Sequence, residues 1–360
     1  MSTARKQQPP PQPVTVLRGH RADVSAARFH PNGMQLLTAD ALGEIRLWDV
    51  ETRRPLATVA AHDGRVLHVH VAASGEVLSQ GRNGCVRLWE AGLEQREPSL
   101  ELRTGCFNFC RLAAHAPEGE PPSRWLVALP GGDADDVGVW EMASGRRVCT
   151  LRRRPAPGSD ARLGMVTSVA FESAGSATRV LVGGEDGSVC LWDTRSTGKP
   201  LASCAPHTEP VLAIAVLPRL GMALTGSADR RLCALALPAA GAQAEPGPGG
   251  GGMAASGEET LAVALTLELP VTNNSLDTGG VNDIAVRADA RIFATAGWDR
   301  RVRVWELGSR WRPLAVLRHH TGGVSAIDFS PSGEWLASAS ADKTVALWSV
   351  FPQRSLTDDG

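Results

Sequence analysis

The sequence predicts an all-β protein built as a seven-bladed propeller, with the N-terminal strand closing the last blade. Three observations carry this. An apolar residue, a Trp and an acidic or small residue recur together, at Trp48, Trp89, Trp140, Trp192, Trp305 and Trp348. Between these marks, apolar and polar residues alternate over four to six positions bounded by Gly, Asn and Asp, the pattern of short antiparallel strands. Four such strands in a unit of roughly 43 residues is the repeat of a propeller blade.

The successive marks are 41, 51, 52, 113 and 43 residues apart. The long gap divides once Thr225–Asp229 and Arg231–Leu235 are set on the same template, with Leu235 in the Trp place. It then splits into 43 and 70, and the longer part holds a Gly-, Pro- and Ala-rich stretch, 238–260, that cannot pack a core. Seven units result. Their upstream marks agree: His20, His62, His207 and His320 stand 28, 27, 28 and 28 residues before the closing positions of their units. Six residues before that position come Asp186, Asp229, Asp299 and Asp342, with Asn83 in the second unit. The third unit, near Cys106–Trp140, and the fourth, which lacks the His, are the degenerate ones; units one, two, five, six and seven match well.

This divides the chain into a Pro-rich disordered tail (1–13), a propeller (14–351) interrupted by a disordered loop (238–260), and a C-terminal tail (352–360). Composition narrows the function. Across 360 residues the formal charge is −1, without the basic excess of a nonspecific nucleic-acid binder. No run of 18 uncharged apolar residues occurs and the N-terminus is polar, so neither membrane insertion nor a secretory signal is expected. Seven scattered cysteines, an odd number, read as reduced thiols of the cytoplasm, the nucleus or both.

The His20 and Trp48-Asp49 marks, repeated from Val14 to Phe351, resemble those of the WD40-repeat family. That resemblance implies a hydrogen-bonded chain of His, Ser or Thr, Asp and Trp in each complete unit. The seventh carries His320, Ser338, Asp342 and Trp348. The fifth carries His207, Thr225 and Asp229 without the Trp, and the sixth contributes Asp299 and Trp305. Repetition at blade spacing makes these structural parts and not catalytic ones.

Enzymatic motifs are thin: there is no nucleophile elbow, no HExxH pair and no phosphate loop ending in Gly-Lys-Ser/Thr. Cys106 and Cys110 lack a second pair at zinc spacing and read as core thiols, with strand geometry placing both on one face. His68 and His70 offer two nitrogens from one strand face without an evident third ligand. Arg152-Arg153-Arg154 reads as a solvated loop. No catalytic residue, cofactor or metal is expected.

Binding is the remaining class. The residue preceding each Asp mark points to the rim of the face bearing the His and Asp turns, which makes Arg82, Glu185 and Trp298 candidate partner-binding residues. For Trp298, packing over the neighbouring blade is the competing reading. The 238–260 insert should leave by the opposite face and keep this rim open, whereas the loop 153–163 lies on the rim side.

Several runs resemble a narrower family, that of the guanine nucleotide-binding protein β-like and ASTRA-associated proteins. They are Leu78–Arg82, Phe109–Arg111, Leu126–Gly131, His207–Val211 and Ala294–Val304. The run Ser340–Trp348 looks closest to the plant branch, the decreased size exclusion limit proteins. The resemblance implies a non-enzymatic adaptor in a co-chaperone assembly that matures phosphatidylinositol 3-kinase-related kinases, monomeric within a larger complex. For the plant branch it implies a role in development and plasmodesmal trafficking. A role as the β subunit of a heterotrimer is disfavoured, since Lys6–Pro13 contains four prolines and cannot form the long helix that would coil with γ. An alternative is a substrate receptor of a cullin-based ubiquitin ligase, because Asp186, Trp192, Asp193 and Arg195 resemble the box that docks such receptors, with Asp193 and Arg195 touching the cullin adaptor.

Overall fold

The computed structural model describes residues 11–89, 93, 97–107, 109–117, 119–121, 124–153, 163–174, 177–239, 259–270 and 279–350. The expected tails up to residue 10 and beyond residue 350, the interior of the 238–260 stretch, and Arg154 with most of the loop that follows it lie outside them.

Strand β1 (Thr15–Arg18) comes first, and blade one follows as β2 (Val24–Phe29), β3 (Gln35–Asp40), β4 (Glu44–Asp49) and β5 (Pro55–Ala60). Blade two is β6 (Val66–Val71), β7 (Val77–Gly81), β8 (Cys85–Trp89) and β9 (Leu100–Arg103). The degenerate third unit still forms a complete four-stranded sheet, β10 (Ala113–His115), β11 (Leu126–Pro130), β12 (Asp136–Glu141) and β13 (Arg147–Arg152), though its inner strand has only three residues. Blade four is β14 (Val166–Ala174), β15 (Ala177–Gly184), β16 (Val189–Asp193) and β17 (Ala202–Cys204). Blade five starts with β18 (Val211–Leu217), β19 (Met222–Ser227) and β20 (Arg231–Ala236). After the long insert, β21 (Glu259–Thr260) adds to blade four in parallel with β17, and β22 (Ala262–Glu268) completes blade five. Blade six is β23 (Val281–Val286), β24 (Ile292–Gly297), β25 (Arg301–Glu306) and β26 (Arg312–Arg318). Blade seven is β27 (Val324–Phe329), β28 (Trp335–Ser340) and β29 (Thr344–Ser349).

The ring closes as the sequence predicts. Strand β1 pairs antiparallel with β29, Thr15 opposite Leu347 and Arg18 opposite Thr344, so the edge of blade seven is covered by the chain's own start. The core lies between blades. Trp48 of blade one packs with Leu17, Ala337, Val345 and Leu347 of blade seven. Likewise, Trp348 packs with Ala294, Ala296, Val302 and Val304 of blade six. Each closing Trp thus buries its ring against the preceding blade, and the repeat that marks the sequence is the repeat that builds the core.

One backbone device recurs near the channel. The inner strands of every blade except the third carry a β-bulge one step from their start, as between Val166 and Ser168, Val211 and Ala213, and Val281 and Asp283. A bulge re-aims the extra residue. In blades four, five and six that residue is Thr167, Leu212 or Asn282, and all three line the mouth of the channel.

Candidate functional site

The His and Asp marks form relays on one face. In blade seven, Trp348 Nε1 donates to Ser338 Oγ at 2.9 Å, His320 Nε2 lies 2.9 Å from the same oxygen, and His320 Nδ1 lies 2.9 Å from Asp342 Oδ2. The tautomer that satisfies all four groups runs Trp N–H to Ser, Ser O–H to His Nε2, and His Nδ1–H to the carboxylate. Burial alone would raise the Asp342 carboxyl; hydrogen bonds from His320, Thr344 and the Thr321 amide overcome it and hold the pKa well below the usual carboxylate range. Blade five repeats the inner part, with His207 at 2.8 Å from Thr225 and 3.1 Å from Asp229.

Elsewhere the relays depart from the template. Blade one carries a complete set that the sequence reading missed: His20 lies 2.9 Å from Asp40 and 2.7 Å from Thr38, and Trp48 donates to Thr38 at 2.8 Å. Its carboxylate comes from the end of β3, two residues before the expected turn position, which holds Leu42. In blade six Asp299 pairs with Arg303 and not with a His, while Trp305 donates to Thr295 at 3.2 Å. In blade four the missing His is replaced by Arg153, fully buried, which donates to Asp186 and, at 2.8 Å, to Ser188. This corrects the expectation of a solvated Arg run at its middle residue: Arg153 is a buried cation, while Arg152 is half exposed. Among the described residues Trp192 and Trp140 have no partner for Nε1, since Val182 stands where other blades supply a hydroxyl to the closing Trp and β11 of blade three carries none.

Above the channel, on the same face, lies a cleft of about 580 Å³. One wall is formed by Gly105–Phe107 and Phe109–Arg111, outside any strand: Cys106 and Cys110 point inward, Phe107 and Phe109 outward, 68% and 64% exposed. Buried Gln80 fastens this segment, donating to the Cys110 carbonyl at 3.0 Å and accepting from the Leu112 amide at 2.7 Å. Arg111 reaches across the channel to Asp283 at 3.1 Å. The opposite wall is Trp298, 38% exposed. Its indole lies flat on Gly280, where a Cβ would come within 2.6 Å of the ring, and its Nε1 donates to Asn282. Trp298 is therefore held at the rim with its face open. Met165, 48% exposed, completes the apolar border. Isolated exposed apolar residues are ordinary; four around one cleft are the mark of an interaction surface.

The three predicted rim residues meet this cleft differently. Trp298 lines it. Arg82 stands behind the Phe wall, its guanidinium 4.7 Å from the Phe107 ring centre and 4.1 Å from that of Phe109. Glu185 is exposed beside Met165 and accepts its amide at 2.9 Å. Phe107, Phe109 and Met165 were not predicted. The described ends of the 238–260 insert lie at the end of β20 away from this face, with the Pro238 carbonyl held by Arg179 at 2.7 Å.

Below the cleft the channel is lined by Arg28, His68, His70, Arg111 and Asp283 among others. No three His, Cys, Asp or Glu side chains converge there among the described residues. Among the described residues the one such group in the molecule is His20, Asp40 and Glu44, already committed to one another, Thr38 and Arg46. In the box around Trp192, Asp193 is buried and paired by Arg195 through Nε at 3.0 Å and Nη2 at 2.7 Å, which holds its carboxyl below the usual range. Arg195 is thus engaged within its own chain, as is Asp186.

The buried imidazoles set a pH dependence. Burial, with the Arg87 cation nearby, lowers His62 to about 4, and burial with Arg28 lowers His70 to about 4, from 6.5. A histidine with a depressed folded pKa stabilises the fold above its unfolded pKa and loses that contribution as pH falls toward the folded value. Each contributes on the order of 3 kcal/mol, lost between about pH 6.5 and 4. Burial raises Asp328 to about 6, so its contribution runs the other way, present below 3.8 and lost as pH rises through 6, and it offsets about one histidine. Burial also lowers His68, beside His70, and His207, so denaturant unfolding at pH 7, 5.5 and 4 should show stability falling as the pH falls, and Asp328→Asn should steepen the fall.

Seven blades of four strands each, the fourth extended by β21, a self-closed ring and the Trp–Ser/Thr–His–Asp relay define a WD-repeat propeller. The chain belongs to that family: its WD domain, G-beta repeat description matches residues 11–49, 53–90, 157–193, 271–306 and 311–349. The fourth unit is thus matched although it lacks the His, whereas the fifth, expected to match well, is not; Leu235 and the long insert remove its signature. Over most of its length the chain is similar to guanine nucleotide-binding protein subunit beta-like protein 1 of Mus musculus, 33% identical over 96% of this chain and 98% of the relative. It is also similar to ASTRA-associated protein 1 of Aspergillus niger, 30% identical over 90% of this chain and 82% of the relative. The solved β-propeller domain of Cps50 (Swd1) from Myceliophteria thermophila covers 95% of this chain and 100% of its own, at a TM-score of 0.74 and 17% identity, a likeness of fold alone.

Proposed function

We propose that the chain is a non-enzymatic adaptor, cytoplasmic, nuclear or both, acting in co-chaperone-assisted maturation of phosphatidylinositol 3-kinase-related kinases. The cleft supports the adaptor reading: Phe107, Phe109, Met165 and Trp298 leave apolar surface open around one rigid mouth, which a scaffold uses and an isolated ring does not need. The assembly is suggested by kinship with proteins named ASTRA-associated protein 1. Affinity capture from lysate of the native organism, read by mass spectrometry, tests the proposal. Kinase-maturation co-chaperones should be recovered with the wild type and lost with a folded Trp298→Ala, Phe109→Ala variant. Recovery of a cullin adaptor instead, abolished by Arg195→Glu, would move the protein to the ligase-receptor class.

A further inference from the structure

The cleft has apolar walls over a mixed floor of Thr167, Leu212 and Asn282, and groups of opposite charge stand at its two flanks. On the blade-two side, Arg82 is clamped by Phe107 and Phe109, with no carboxylate in salt-bridge reach among the described residues and with Nε buried and unbonded. On the blade-four side, Glu185 is exposed, accepts one backbone amide and has no cationic partner among the described residues. Next to it along the same lip, Asp133 lines the cleft and, among the described residues, is bridged by Arg152 alone, itself half exposed. Ring stacking holds the Arg82 cation in place without neutralising it, and the Met165 amide does the same for Glu185. A charge kept in position but left unpaired at the edge of an apolar cleft is a recognition element for its opposite.

From this arrangement, and resting on the adaptor reading, we infer that the cleft takes an extended segment of a partner protein with a dipolar pattern. A bulky apolar side chain enters between Trp298 and the Phe107–Phe109 wall. A carboxylate side chain on one flank meets Arg82, and a Lys or Arg on the other meets Glu185 and Asp133. Charge order thereby fixes the direction in which the segment crosses the face. The apolar anchor supplies affinity, and the two charges supply register.

The test uses the full chain and four labelled synthetic peptides with a central Trp: acidic then basic flanks, the reverse order, all-neutral flanks, and the first pattern with Trp replaced by Ser. Fluorescence anisotropy should show one charge order binding at least tenfold more tightly than the other and than the neutral peptide, with the Ser peptide not binding. Arg82→Glu combined with Glu185→Lys should invert the preferred order, and Trp298→Ala should weaken both orders. Each variant is first checked for an unchanged melting temperature. Equal binding of the two orders, or a preference that survives the charge swap, overturns the inference, as does a concentration-dependent dimer in sedimentation that Trp298→Ala abolishes, which would make a second copy the occupant. Failure here with capture of co-chaperones intact leaves the adaptor reading standing; failure of capture with the peptide preference intact removes only the assembly.

Discussion

Trp348→Ala lowers the unfolding free energy by about 3–5 kcal/mol, the cost of removing a fully buried indole. The ring is 1% exposed and packs on blade six while its N–H anchors the relay through Ser338, His320 and Asp342. Both contributions can be separated. Trp348→Phe keeps most of the volume but withdraws the donor from Ser338, which should cost about 1–2 kcal/mol more than the change in area alone. At Trp192 the same exchange removes a buried N–H that has no acceptor, so Trp192→Phe should be far less destabilising than Trp348→Phe and near neutral. Paired denaturant titrations measure the difference. Equal losses at the two positions would show that the relay adds nothing to packing.

The second large effect is on association. Trp298→Ala should weaken binding of the captured partner by at least about 2 kcal/mol, or roughly 30-fold, as expected for a central aromatic anchor. Its melting temperature should stay close to that of the wild type, because the ring is 38% exposed and contributes little to the core. A titration of the purified partner against both proteins reads the first quantity and a thermal melt the second. A variant that melts early and binds normally would return Trp298 to a packing role over its neighbouring blade.

What the sequence made legible was whatever repeats. Trp48, Trp89, Trp192, Trp305 and Trp348 locate blades because the same ring must fill the same inter-blade gap each time, and the closure of β1 on β29 follows from the count. Substitutions by a different chemical solution were not legible. Asp40 reaches His20 from a strand end and not from a turn, so a fixed offset passes over it. Arg153 does the work of a missing His from within an apparent solvated run, because a buried cation is tolerable once a carboxylate and a hydroxyl, those of Asp186 and Ser188, face it. The apolar wall of the cleft was hidden for a related reason. Phe107 and Phe109 lie in a segment without strand structure, fastened by Gln80, and alternation alone does not say which side of such a segment faces solvent. Of the rim, the turn positions Arg82, Glu185 and Trp298 could be read; their neighbours could not.

The central claim is that partners dock on the face bearing the His and Asp turns. Hydrogen–deuterium exchange of the chain, free and in its captured complex, tests it most directly. The account predicts protection concentrated in 105–112, 163–167 and 298–300, with the turns of the opposite face, 30–34, 72–76 and 330–334, unchanged. Protection confined to those opposite turns, with the cleft exchanging as in the free protein, would contradict it.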